Sequence, residues 1–261
     1  MIISEFVKLY EEFCPKELSE VGDPVGLQIG SLKNEVKKIL VTLDVREQTV
    51  EEAKRVGADL ILAKHPIIFT PLSNLTDLDS QEKIVMDLVV AGISVYTSHT
   101  NIDIVLGGIN DYFASKLGLT NVTFLLENGM GRVGDLPEEI SLQDFIDQAK
   151  KIFHQERFRI VSYNHDLTRS IHRVAICGGA GSKFWKDALA KGADLFITAD
   201  VFYHVGHDIC STSLTVLDPG HYMEHLFVPL VTEKLDSIIF EHQLAVKAIK
   251  SIENTNPFYD I

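Results

Sequence analysis

Long apolar runs are missing from this sequence. No segment approaches the ~18 uninterrupted apolar residues of a membrane-spanning helix, so no membrane is expected as a partner. Cysteine is scarce: Cys14, Cys177 and Cys210 show no metal-type spacing and cannot all pair with one another, so a reduced, intracellular chain is the simpler reading. Positive charge is short as well. The 24 lysines and arginines against 37 acidic residues leave a net charge of −13, which argues against a nucleic-acid duplex as main partner while leaving room for a local basic pocket. The one tryptophan, Trp185, reads as core beside Ala188 and Leu189. The opening "MIISEFVKLYEEF" has no basic region followed by an apolar run. Its Glu5, Lys8, Glu11 and Glu12 fall among Ile2, Ile3, Phe6, Val7 and Tyr10 at the period of an amphipathic helix, so the cytoplasm is the expected location.

What is present is ordinary in amount and telling in order. At 261 residues with 46% apolar and 23% charged side chains, the chain can build one large domain or two modest ones. Short apolar runs alternate with helical patterns, which favours βα units and a largely parallel sheet. "KKILVTLD" reads as a strand, followed by a helix that Asp44 can cap with Glu47 as reciprocal partner and that Gly57 can stop in the left-handed conformation. The strand "LILA", the helix "SQEKIVMDLVVAG", the strand "ISVYTSH" and a helix over roughly Gly107 to Gly118 follow. In "TNVTFLLENGMGRVGDL" the glycines Gly129, Gly131 and Gly134 exclude a regular helix and mark a domain change. Beyond lie a helix capped at Ser141, the strands "RFRIVSY" and "HRVAICGG", a helix from Ser182 to Lys191 and the strand "LTVLD".

An internal echo runs through this order. Gly57-Ala58-Asp59-Leu60 recurs as Gly192-Ala193-Asp194-Leu195, each between a helix and an apolar strand. His65 lies eight residues after Gly57, and Asp200 eight after Gly192, so both polar residues fall just past the ends of equivalent strands. The echo reads as a duplication, with strand ends as the expected ligand-binding edge.

Three strand ends carry the candidate chemistry. They offer Lys64-His65-Pro66, then His99 and Asp103, then Asp218, His221, Glu224 and His225. Neutral imidazoles and ionised carboxylates gathered from several loops make a ligand shell for a divalent cation; without cysteine this points away from a closed structural zinc site and leaves Zn, Fe, Mn or Co open. Such a site makes water acidic enough to attack near neutral pH. In the last segment a helical path puts His221 and Glu224 on one face, with His225 competing, and Pro229 demands a kink or a restart. The glycine-rich "CGGAGSKF" matches no nucleotide-binding fingerprint; a tight turn with close strand–helix packing is favoured over an anion cradle. Asp200, Tyr203, His204 and His207 offer a general acid or base, or simple capping.

Taken in order, "DPVGLQIG", "TLDV", "GADLILAKHPIIF", "YTSHTNID", "GMGRVGDL", "ADVFYH", "DPGHYMEH" and "NTNPF" resemble the NIF-three-like family, whose bacterial members are often labelled GTP cyclohydrolase 1 type 2 homologues. The length matches the short form, without the domain that some members insert. The resemblance implies an α/β fold: two related α/β halves with mixed, largely parallel sheets around a central metal-binding cleft, in a toroidal homohexamer. The halves are expected at 1–126 with 237–261, and at 127–236. The resemblance carries the metal ligands onto His65, Asp103, His221 and Glu224, with one or two divalent ions per chain, and its label implies opening of the GTP ring. The chain departs from the family at Lys64, where the pattern has a second histidine, and at Gly22-Asp23-Pro24, where it has Trp-Asp-Asn. A lysine ammonium has no lone pair, so one of two metals should be weak or missing; Lys64 can instead take an anionic substrate group or point to solvent. The expectation is a metal-dependent hydrolase on a nucleotide-like or small anionic substrate, with His99 or His204 moving protons. Its rival is a non-catalytic, metal-binding, ring-forming scaffold that works through partners.

Overall fold

Burial follows the apolar patterning closely, beginning with the helix α1 (Ile3–Phe13), which buries Ile3, Phe6, Val7 and Tyr10. The computed structural model describes residues 1–259. After α1 come β1 (Gly26–Ile29), β2 (Lys38–Thr42), α2 (Glu47–Val56), β3 (Leu60–Ala63), α3 (Ser80–Ala91), β4 (Ser94–Thr97) and the short α4 (Thr100–Ile104). Gly57 ends α2 at φ 67° and Gly92 ends α3 at φ 69°, where a side chain would be strained. All four residues of β3 are buried, which is why it reads as an unbroken apolar run. The chain continues through α5 (Ile109–Lys116), β5 (Thr120–Phe124), β6 (Arg132–Ser141), α6 (Leu142–Phe153), β7 (Arg159–Val161), β8 (Ser170–Ile176), α7 (Trp185–Ala190), β9 (Leu195–Ile197), α8 (Tyr203–Ile209) and β10 (Thr215–Asp218). A 3₁₀ segment, His221–Leu226, leads into α9 (Phe227–Glu241) and β11 (Lys247–Lys250).

These elements form two mixed sheets, one in each of two compact units. The first unit is Met1–Val105 with Phe227–Phe258, and the second is Leu106–Leu226 with Tyr259. The joins fall earlier than the 126/127 and 236/237 of the sequence reading, because α9 packs on α1 and β2 while α5 packs on β6 and β8. The first sheet has the order β1-β4-β3-β2-β11, with only β1 antiparallel to its neighbour. The second has the order β5-β6-β8-β9-β10-β7; β8, β9 and β10 run parallel, and β7, β6 and β5 pair antiparallel.

The echo in the sequence is a duplication in three dimensions. Strands β2, β3 and β4 correspond to β8, β9 and β10, with β1 and β7 as matching antiparallel edges. Ile39 pairs with Leu60 and Leu60 with Ser94; Val174 pairs with Leu195 and Leu195 with Thr215. The repeated aspartate does the same work twice. Asp59 accepts from the backbone N–H groups of Lys37 and Lys38 at 2.7 and 2.9 Å, and Asp194 from those of His172 and Arg173 at 2.9 and 2.8 Å.

One local expectation changes and another holds. Asp44 does not cap α2; the helix starts after Arg46, whose N–H donates to Thr49 Oγ1 at 2.6 Å, because the Asp44 carboxylate is held elsewhere. Pro229 accompanies the expected restart: the 3₁₀ segment ends at Leu226 and α9 begins at Phe227. The proline lies in the first turn of α9, where a missing N–H costs nothing.

The glycine-rich stretch of the second unit winds around a buried cation. Arg132 is 1% exposed, and its Nε lies 2.5 Å and its Nη2 2.7 Å from the two oxygens of Asp111. Its Nη1 donates to the carbonyls of Gly129 and Gly131 at 2.6 and 2.8 Å, and the ring of Phe124 covers the guanidinium at 4.7 Å.

Candidate functional site

In the first unit the residues of interest follow β3 and β4. Lys64 and His65 extend the β3 ladder, donating their N–H groups to Thr42 and Leu43. The Lys64 side chain does not reach solvent: it is 1% exposed, and Nζ donates to Asp103 Oδ2 at 3.3 Å. Asp103, on α4, is itself buried. His65 takes a different course. Its Nδ1 donates to Asp44 Oδ1 at 2.7 Å, and Asp44 Oδ2 accepts from Thr255 Oγ1 at 2.5 Å. The closing "NTNPF" therefore serves the site by fixing the aspartate that fixes the imidazole. Burial alone would raise the Asp44 pKa, but the bonds from His65 and Thr255 hold it below the ordinary carboxylate value.

The His65 ring stands edge-on to that of His99, 5.8 Å between centres. His99 Nδ1 donates to Asp23 Oδ1 at 2.7 Å, and Asp23 Oδ2 accepts the backbone N–H of Thr100 at 3.0 Å. The residue standing in the unusual Gly22-Asp23-Pro24 thus orients His99. Burial, and after it Lys64 and His65, pull the His99 pKa down against the effect of Asp23. Burial pushes Asp23 up, but hydrogen bonds from His99 and Thr100 outweigh it and bring its pKa down to about 2. A depressed carboxylate stabilises the fold above its unfolded pKa and loses that contribution as pH falls through its folded one. The wild-type chain is expected to exceed Asp23→Asn in stability by roughly 2 kcal/mol at neutral pH, with the gap closing between about pH 4 and pH 2. Denaturant midpoints measured across that range check it; a gap independent of pH would refute the assignment.

A cavity of about 200 Å³ opens beside His65, lined by Asp44, Arg46, Pro66, Ile67, Phe69 and Gln81 among others. Arg46 gives it one cationic wall and the largely exposed Phe69 a flat apolar one.

In the second unit, the 3₁₀ segment settles which neighbour His221 meets. Side chains three apart eclipse in such a helix, and His221 Nε2 lies 3.2 Å from Glu224 Oε2. His225 turns away, its Nδ1 bonded to the Tyr222 carbonyl and its ring beside those of Tyr222 and His154. His221 Nδ1 donates to Asp200 Oδ2 at 2.5 Å. The Glu224 carboxylate, and then Asp200, lift the His221 pKa to about 9 against the effect of burial. Asp200 itself sits at a left-handed φ of 53°, a conformation aspartate tolerates better than most residues.

Glu224 is 1% exposed, and the glycines of "CGGAGSKF" make room for it. A Cβ on Gly178 would fall 3.0 Å from Glu224 Oε1 and 2.9 Å from the Phe113 ring; one on Gly179 would fall 3.2 Å from the same oxygen. The stretch is a close-packed turn, as its sequence suggests, and the anion it accommodates is the chain's own carboxylate. His204 is exposed on α8, its ring 5.5 Å from that of Tyr203.

The supporting aspartates Asp44, Asp23 and Asp200 were not legible as such. One signal could have found two of them: Asp44 precedes His65 by 21 residues, and Asp200 precedes His221 by 21.

A family model described as Duf34/NIF3 (NGG1p interacting factor 3) matches residues 1–257. The chain belongs to the Duf34/NIF3 family. A Lactococcus lactis relative named "GTP cyclohydrolase 1 type 2 homolog" is 55% identical over 262 residues, covering the whole of both chains, and a Streptococcus pneumoniae relative of the same name is 44% identical, again over both full lengths. Among solved structures, a Bacillus cereus protein related to NIF3 superposes with a TM-score of 0.94 at 26% identity, covering 100% of this chain and 99% of that one. Reduced HcgD from Methanocaldococcus jannaschii gives 0.81 at 30% identity, with 96% and 97% covered. Both NIF3 relatives in bacteria align end to end, which fits the short form. No helix among the described residues is long and apolar enough to cross a membrane.

Proposed function

We propose that this Duf34/NIF3 protein is a metal-dependent hydrolase acting on a nucleotide-like or other small anionic substrate, with His65, His221 and Glu224 holding a divalent cation. Asp103, the fourth residue of the ligand set implied by the family, is ion-paired with Lys64 and is treated below. The supporting observation is a construction made twice. Asp44 holds Nδ1 of His65, and Asp200 holds Nδ1 of His221, so each imidazole keeps a proton on Nδ1 and turns Nε2 outward, the nitrogen that donates a lone pair once it carries no proton. A carboxylate behind a ligating histidine also raises its basicity. The donor set of imidazole and carboxylate suits Zn, Fe, Mn or Co. When bound, such an ion lowers the pKa of water toward neutrality. The chain's own residues supply the remainder. His99, oriented by Asp23, is positioned to move a proton, and His204 is the second candidate for that role. Arg46 and Phe69 in the cavity beside His65 suit an anionic group and a flat ring.

Elemental analysis of purified protein, combined with a nucleotide hydrolysis panel, tests the proposal. His65→Ala should abolish both metal and turnover. Asp200→Asn and Asp44→Asn should each weaken metal binding by roughly 10- to 100-fold without unfolding the chain, since each leaves an imidazole unoriented. Unchanged affinity in both would refute the supporting role.

The buried Lys64–Asp103 pair favours a second reading, a metal-binding scaffold without catalysis, because it engages one of the expected ligands. Stoichiometric metal with no turnover of any panel member would select it. Either reading includes self-association into a homohexamer, for which the exposed Val21, Leu78, Val90 and Phe240 offer apolar surface; light scattering measures it.

A further inference from the structure

The duplication permits a comparison of the two halves position by position. Ser94 in β4 and Thr215 in β10 occupy matching registers against β3 and β9. Asp103 stands as far beyond Ser94 as Glu224 stands beyond Thr215, so the two buried carboxylates are counterparts. By the register of β3 and β9, Lys64 is the counterpart of Ala199, and His65 of Asp200.

The counterpart carboxylates meet different partners. Glu224 faces the imidazole of His221, a group that can surrender its proton and donate a lone pair. Asp103 faces the ammonium of Lys64, which offers only donors. Ala199 is fully buried and carries no charge, so the lysine is an addition to the first half alone. Both ends of the Lys64–Asp103 pair are out of solvent, with side-chain exposures of 2% and 9%. Removing one member of such a pair leaves an uncompensated buried charge, which is why the two hold each other in place.

We propose that Lys64 is a built-in substitute for a metal ion: it supplies the positive charge that Asp103 requires, so Asp103 is not a metal ligand and each chain binds a single divalent cation. The proposal rests on the metal reading above and narrows it.

Metal-stripped protein titrated with Mn(II) by calorimetry, and counted by elemental analysis after gel filtration, tests this. The wild type should bind one ion per chain. Lys64→His restores a lone-pair donor and removes the fixed charge, and should bind two. The double variant Lys64→Met with Asp103→Leu removes both buried charges at similar volume, a change that buried pairs tolerate well; it should keep one ion with affinity within about threefold of wild type. Thermal melts of the stripped proteins confirm that each variant folds. Two ions in the wild type would overturn the substitution while leaving the metal reading intact. So would one ion in folded Lys64→His, or a loss of more than about 100-fold in the double variant. No ion in the wild type would overturn both readings.

Discussion

Replacing Glu224 by glutamine is expected to weaken divalent-metal binding by roughly 100-fold or more, beyond the 10- to 100-fold typical of outer positions. Glutamine preserves volume, so the glycine-lined space formed by Gly178 and Gly179 still accepts the side chain. What changes is charge. A buried anion beside His221 becomes a neutral amide, and the proposed ligand set loses its one carboxylate. Calorimetric titration against wild type measures the effect. Crowding the same space by Gly178→Ala should act in the same direction, because a Cβ there overlaps the Phe113 ring and abuts Glu224 Oε1. If Glu224→Gln binds metal as tightly as wild type, the proposed ligand set is wrong.

Arg132→Met should produce the largest loss of stability. The substitution retains an apolar stem but strips donors from both oxygens of Asp111 and from the carbonyls of Gly129 and Gly131. Breaking a buried ion pair from one side costs about 3–5 kcal/mol. In a chain of this size that corresponds to a drop of roughly 10 °C in Tm. Removing the partner as well, by Asp111→Leu, should recover part of the loss, because the carboxylate left without a counter-charge is then gone. Differential scanning calorimetry on the single and double variants decides the matter; a single variant within a degree of wild type would refute it.

The sequence was most informative where local rules act alone. The apolar runs of β2, β3 and β4, the left-handed glycines at 57 and 92, and the Ser141 cap of α6 all follow from spacing and conformational preference. The echo of Gly-Ala-Asp-Leu was legible because each aspartate satisfies two successive backbone donors along the neighbouring strand segment, a task that few residues perform. Misreadings arose where a side chain had two possible employers. Asp44 looks like a helix cap from its neighbours, yet His65 and Thr255 claim its carboxylate from far along the chain. The choice between Glu224 and His225 turned on whether the backbone coiled at three or more residues per turn, which spacing alone does not reveal. Lys64 illustrates the same limit. Its type was conspicuous beside His65, but burial against Asp103 depends on a helix that enters from a different strand.

Because the segment from Phe227 to Phe258 returns to the first unit, the second unit lies inside it along the chain. On a ribosome, Leu106–Leu226 emerges as an uninterrupted stretch and can acquire its structure while the rest is incomplete. The outer edge of β2 has no such option: the hydrogen bonds it makes with β11 wait for Lys247–Lys250, which are made after the whole of Leu106–Leu226. Until then it is an open strand edge, the kind of surface on which nascent chains stick to one another. Deleting Lys247–Lys250 would therefore damage a sheet whose other strands were synthesised first.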